Sequence, residues 1–226
     1  MQKGFTMAEV LITLGIIGVV AAMTLPTVMN NSRNKALETA LKKNYSVIEQ
    51  ALNMYYAQTG ERLLPKNLGN DELKSILVKY MDVLYDCGLG TDVHKACIKH
   101  YVDASRDSTN YKTYNGQSNI ELRYFDDGQF ILNDGSLILL ENFGSGSVVY
   151  ISVDVNGYQK NPNRLGWDLF MFQIVDNGRL LPMGASGTYY YSANDEYCSK
   201  TSTNAMNGAG CTYKALTDDK YFSKLK

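Results

Sequence analysis

Four cysteines, two histidines and a few isolated acids are the residues of this 226-residue chain whose types and spacing could do chemistry. Cys87, His94, Cys97 and His100 make a Cys, His, Cys, His series that could ligate zinc, but its order and spacing match no common structural site. The cysteine number is even and includes no C-x-x-C pair, which argues against thioredoxin-like redox chemistry. Cys87 and Cys97 lie close in sequence, as do Cys198 and Cys211, so two local disulfides are the simplest pairing in an oxidising compartment. Closing each loop would stabilise the fold by roughly 3 kcal/mol in the chain-entropy model. The stretch from Asp154-Val155-Asn156-Gly157 to Asp168 offers oxygen ligands for a cation such as calcium. It lacks the D-x-[DN]-x-[DN]-G loop with a distal Glu, and turn chemistry at Asn156-Gly157 and Pro162-Asn163 accounts for the same residues. Ser186, within Gly184-Ala185-Ser186-Gly187, is one glycine spacing short of a nucleophile elbow, and no P-loop pattern occurs. These residues predict no enzyme, and no cofactor unless calcium binds the Asp154 loop.

The remaining candidate is Glu9, the single acid in FTMAEVLITLGIIGVVAAMTL, residues 5–25. At helical rise that apolar run spans about 30 Å, enough to cross a bilayer. A cleaved secretory signal fits poorly: Lys3 is the only basic residue ahead of the run, the run is too long, and AAMTLP makes a weak small-residue cleavage site. A plain anchor explains the length but leaves Glu9 unexplained, because an ionised carboxylate costs about 2.5 to 3.5 kcal/mol at the membrane centre, less near its edge.

Gly4, Phe5, Thr6, Met7, Ala8 and Glu9, followed by the apolar run, resemble the class III signal of type IV pilins and type II secretion pseudopilins. The resemblance is specific over residues 3–26 and only general beyond them. It implies that a prepilin peptidase cuts between Gly4 and Phe5, releasing leader residues 1–4, and that Phe5 becomes the N-methylated end. Glu9 then takes the family's acidic position. In a staggered bundle its carboxylate meets the amine of a neighbouring subunit in low dielectric, setting register and penalising a misdocked chain. Gly15 and Gly18 each weaken the helix by about 1 kcal/mol relative to Ala, and Pro26 removes a backbone donor, so local melting or kinking is expected between them. The implied partners are identical or homologous pilin subunits, a prepilin peptidase, an inner-membrane assembly platform and the lipid bilayer. The implied location is a single pass through the inner membrane with the head on the periplasmic or extracellular side, followed by filament. Some pseudopilins also bind calcium near a loop between strands, which is the ground for considering Asp154 to Asp168.

These residues need a scaffold. Residues 27–60 read as an amphipathic continuation of the first helix, with Leu37, Leu41, Ile48, Leu52 and Tyr55 near one stripe and Gly60 as the stop. Residues 71–85 read as a second, shorter helix, with Leu73, Ile76, Leu77, Tyr80, Met81 and Leu84 on one face. From Ile120 the period changes: IELRYF, QFIL, SLILLE, VVYISV and WDLFMFQIV are strand-like runs separated by DDG, NDG and other glycine-rich turns. The expected fold is α+β and pilin-like: a long helix, half membrane-spanning (5–26) and half amphipathic (27–60), packed on an antiparallel meander of four or five strands in a head spanning 61–226. The tail from Gly184 is expected to be a surface loop region closed by Cys198 and Cys211. The formal charge of −1 and pI of about 6.1 give no general pull toward nucleic acid. A membrane-tethered or filament-tip binding module using the Tyr-rich tail is the alternative, as is a DNA-uptake pilin.

Overall fold

A computed structural model describes residues 6–69, 72–89, 94–99, 108–143 and 148–225. Gly4, Phe5 and His100 lie outside the described residues. The first element is a single 53-residue helix, α1 (Met7–Thr59), about 80 Å long at 1.5 Å per residue. It runs unbroken through Gly15, Gly18 and Pro26. It ends where expected: Gly60 adopts φ 76° and donates its N–H to the carbonyl of Tyr56, a left-handed cap that a side chain would strain.

α1 has two different halves. None of the residues in its first half is buried, whereas the buried positions of its second half are Asn34, Leu37, Leu41, Asn44, Ile48 and Ala51. These alternate by three and four residues, the seam that keeps one stripe of a helix against a flat partner. Leu52 and Tyr55, expected on the stripe, flank it as half-buried residues, and Tyr45 stacks on Phe172 at 5.3 Å.

A short helix, α2 (Glu72–Tyr80), buries Leu73, Ile76 and Leu77. The expected helix does not continue to residue 85. Val83–Asp86 is instead a strand, β1, pairing antiparallel with β4 (Gly128–Leu132). Leu84 fits the helical stripe in sequence, but an open sheet edge offers the backbone of this segment a ladder partner, and tertiary pairing overrides a local pattern. The chain then forms a two-stranded ribbon, β2 (Ser108–Lys112) with β3 (Asn119–Glu121). IELRYF is therefore a short strand followed by a 3₁₀ turn over Leu122–Tyr124, not a strand of the main sheet. After β4 come β5 (Leu137–Asn142), β6 (Val149–Asp154), β7 (Leu169–Ile174) and β8 (Leu180–Pro182). With β1 on the outer edge they make one antiparallel sheet of six strands in the order β1-β4-β5-β6-β7-β8. β8 carries Pro182 on the other edge, where a missing ladder donor is tolerated.

The sheet is covered on both sides, which is why β4, β5 and β6 are buried at every position. Phe130, Ile138, Leu140, Ile151, Phe170 and Phe172 face α1 and α2 in one core. Ile131, Leu137, Leu139, Tyr150, Leu169 and Met171 face a second core closed by Tyr111, Ile120 and Phe125 of the ribbon region and by Met183, Met206 and Ala209 of the tail.

The tail is more than a surface loop. Cys211–Thr217 forms α3 against β7, β8 and α1, and Thr212 Oγ1 accepts the N–H of Met171 at 2.9 Å. Gly184 turns the chain at φ 95°, and a Cβ there would sit 2.0 Å from the carbonyl oxygen of Gly210. Phe222 packs on Phe170, and Tyr221 donates its hydroxyl to the carbonyl of Gly166 at 2.6 Å. Asn34 closes the arrangement by donating Nδ2 to the carbonyls of Phe222 and Leu225, both at 2.9 Å. Asn44 does the same for the sheet, accepting Ser136 Oγ at 3.0 Å from the turn between β4 and β5. Two polar residues on an otherwise apolar seam thus set the height of α1 against the head. Asn34→Ala leaves two carbonyls without that donor and is expected to cost about 2 kcal/mol. Thermal unfolding in detergent should show a fall of roughly 4–8 °C, and an unchanged midpoint would remove Asn34 from this role.

Candidate functional site

The N-terminal half of α1 is an apolar rod with solvent on every side. Leu11, Ile12, Ile17 and Met23 are 62 to 73% exposed, at Leu11 65%, Ile12 62%, Ile17 63% and Met23 73%. The segment is long and apolar enough to cross a membrane. A helix that is hydrophobic all round finds its place in lipid or among like helices, not in water. Among the described residues, nothing in the head covers this half.

Glu9 lies in the first turn of this rod. Thr6 is the N-cap, its Oγ1 accepting the N–H of Glu9 at 3.2 Å, while Glu9 Oε2 accepts both the N–H and the hydroxyl of Thr6 at 2.8 Å. This reciprocal capping box satisfies donors left open by the helix start. The Thr-x-x-Glu spacing was present in the sequence as a helix-start signal, and it adds Thr6 to the functional residues. The acid therefore has a local role: it fixes where the rod begins. A Cβ added at Gly15 or Gly18 would meet nothing within 4 Å beyond the adjacent turns of the helix, so both present flat, uncovered strips on the rod.

The cysteines pair locally, Cys87 with Cys97 and Cys198 with Cys211, at Cα separations of 5.8 and 4.9 Å. The zinc alternative falls with this pairing, since disulfide sulfurs are not thiolate ligands. His94 stacks on Tyr85 at 4.4 Å, and its Nδ1 accepts the N–H of Ala96 at 3.3 Å.

Asp154 and Asp168 are both fully buried. Asp154 accepts the hydroxyl of Tyr111 at 2.6 Å and the N–H groups of Asn156 and Gly157 at 3.2 and 2.9 Å. Asp168 accepts the N–H groups of Asn163 and Arg164 at 2.8 and 2.7 Å. Their carboxylates are engaged in folding the 154–168 loop. Burial raises both above the ordinary carboxylate range, and for Asp154 the charge of Asp168 adds to the effect. Ser186 occupies a turn after β8.

On the sheet face turned from α1, Arg123, Tyr124, Phe143, Tyr150, Tyr189 and Tyr190 line a pocket of about 430 Å³. Tyr189 and Tyr190 meet edge to face at 5.0 Å, and Tyr190 lies 5.9 Å from Tyr150. The Tyr-rich tail thus supplies part of an aromatic wall, with Tyr189 and Tyr190 its contribution.

No curated protein matches this chain, and no solved structure matches it. Two family models do. Residues 1–25 match the prokaryotic N-terminal methylation motif, which supports a class III signal and a type IV pilin-like subunit, in agreement with Gly4 to Glu9 and the bare rod behind them. Residues 27–181, more than half of the chain, match the second model, so the chain belongs to the family of unknown function DUF6613.

Proposed function

We propose that this chain is a structural subunit of a type IV pilus or type II secretion filament. The observation that carries the reading is the division of α1: a bare apolar half bearing one acid, continuous with a half locked into the head. In this reading the precursor enters the inner membrane with its N-terminus cytoplasmic and its head on the periplasmic or extracellular side. Prepilin peptidase cuts between Gly4 and Phe5 and Phe5 is methylated. An inner-membrane platform then draws the rod from the bilayer into a helical polymer of identical or homologous subunits. Because the rod leaves lipid and not water, close packing against its copies and the pairing of its one acid, with no hydrophobic transfer term, hold it in the polymer. Oε1 of Glu9 is the oxygen offered to the amine of the neighbouring Phe5. Gly15, Gly18 and Pro26 are the positions where the rod yields on assembly.

A second reading, a tethered or filament-tip binding module, draws support from the aromatic pocket around Tyr150, because Tyr walls suit stacking ligands. Mechanical shearing of cells separates the two. Recovery of the chain along the length of sheared filaments supports the structural subunit; recovery only as membrane-bound monomer contradicts it.

A further inference from the structure

The aromatic pocket around Tyr150 has a floor, two walls and a rim. Tyr150 and Tyr190 are the floor, 1% and 6% exposed. Phe143, just past the end of β5, and Tyr189 of the tail stand above it at 44% and 62% exposed. Both meet Tyr150 edge to face, at 5.7 and 6.4 Å, so one buried ring fixes the two exposed ones. Arg123 forms the rim. Its guanidinium lies 5.1 Å over the Tyr124 ring, Nη2 donates to the Tyr124 hydroxyl at 3.2 Å, and Nε pairs with Glu121 at 2.6 Å. Two large rings held rigidly in the open add little to the core of the head, whereas rings ordered in advance lose little freedom when something stacks on them.

We propose that this pocket binds a neutral sugar ring, a hexose or N-acetylhexosamine of an oligosaccharide. A pyranose has an apolar C–H face to lay on an exposed ring and hydroxyls to meet the phenols and the guanidinium. The cavity of about 430 Å³ lies in the range that holds a small ligand. Burial raises the Tyr150 and Tyr190 phenols above their ordinary range, so at neutral pH both keep hydroxyls that donate as well as accept.

Other ligand classes fit less well. A wholly apolar ligand would bury those hydroxyls and the guanidinium without partners. An organic cation would meet Arg123, which already covers the face of Tyr124. An anion gains little from Arg123, whose charge Glu121 answers. It would also approach Asp126 and Asp127, gathered beside Glu141, the ladder partner of Tyr150. Sugar binding deepens, and rests on, the binding-module reading; the filament reading stands or falls separately, on recovery in sheared filaments.

The test uses the full chain in a polyoxyethylene detergent, because a maltoside detergent would itself offer sugar. Its retention is measured on immobilised lactose, maltotriose, cellotriose, mannotriose and triacetylchitotriose, with sialyllactose as the anionic comparison. At least one neutral oligosaccharide should retain the parent chain, and the same free sugar should displace it. Tyr189→Ala and Arg123→Ala should each weaken that retention at least about tenfold, while Tyr189→Phe, which keeps the ring, should lose less. Both positions are exposed, so an unchanged thermal midpoint in each variant separates lost binding from lost folding. No retention on any neutral sugar overturns the site, as does retention on sialyllactose alone. Retention that survives both alanine substitutions overturns it as well, because the sugar then binds elsewhere. A Tyr189→Ala chain that folds but disappears from sheared filaments would assign the exposed rings to packing against a neighbouring subunit and would also overturn the sugar site.

Discussion

Glu9→Val is expected to enter the membrane at parental levels and yet to fall at least about tenfold in sheared filaments. The valine chain leaves the neighbouring amine buried without its counter-charge, and breaking a buried pair in this way costs about 3–5 kcal/mol, more than enough for a tenfold loss. The capping box adds a control. Glu9→Gln keeps a side chain that can accept from the N-cap backbone, so the helix start survives while the charge is gone. If charge pairing is the device, the glutamine chain fails to assemble as the valine chain does. If the glutamine chain assembles normally and only the valine chain fails, Glu9 acts through the cap alone and the pairing is wrong.

The second large effect concerns the tail. Cys198→Ala/Cys211→Ala should lose about 3 kcal/mol and lower the thermal midpoint of the detergent-solubilised chain by roughly 6–12 °C. The closed loop spans 13 residues, but the consequence reaches further than the loop. Cys211 is fully buried at the start of α3, against Gly166. α3 leads to Phe222 and Leu225, whose carbonyls hold Asn34. A loosened tail should therefore free the lower part of the head from α1, and protection of α1 amides from hydrogen exchange should fall near Asn34 before it falls near Ile48. Loss spread evenly along the helix would show that the tail does not clamp it.

Much of this fold was legible because its signals are long. A run of 21 residues that is apolar except for three threonines and one acid, then a helical stripe ended by glycine, has few alternative structures, and α1 follows both. The apolar runs of β4 to β7 and the DDG and NDG turns were equally direct. What escaped notice was short or polar. Val83–Asp86 shares its spacing with α2 and is a strand only because β4 stands beside it. Leu180–Pro182 is three residues long. Asn34 and Asn44 were invisible to a search for apolar stripes, although they lie on the seam and carry its register. The second core was hidden for another reason: a strand buried on both faces is continuously apolar, and the sequence does not say which elements cover the far side. At the N-terminus the reverse holds. The residues that define the class III signal were read from sequence alone, and the structure adds Thr6 and the exposure of the rod behind it.

Mass spectrometry of the N-terminus of the chain taken from native membranes and sheared filaments reaches the central claim directly. A chain that begins at N-methylated Phe5 is the predicted result. A chain that still begins at Met1, in a cell that processes its other prepilins, would contradict the account.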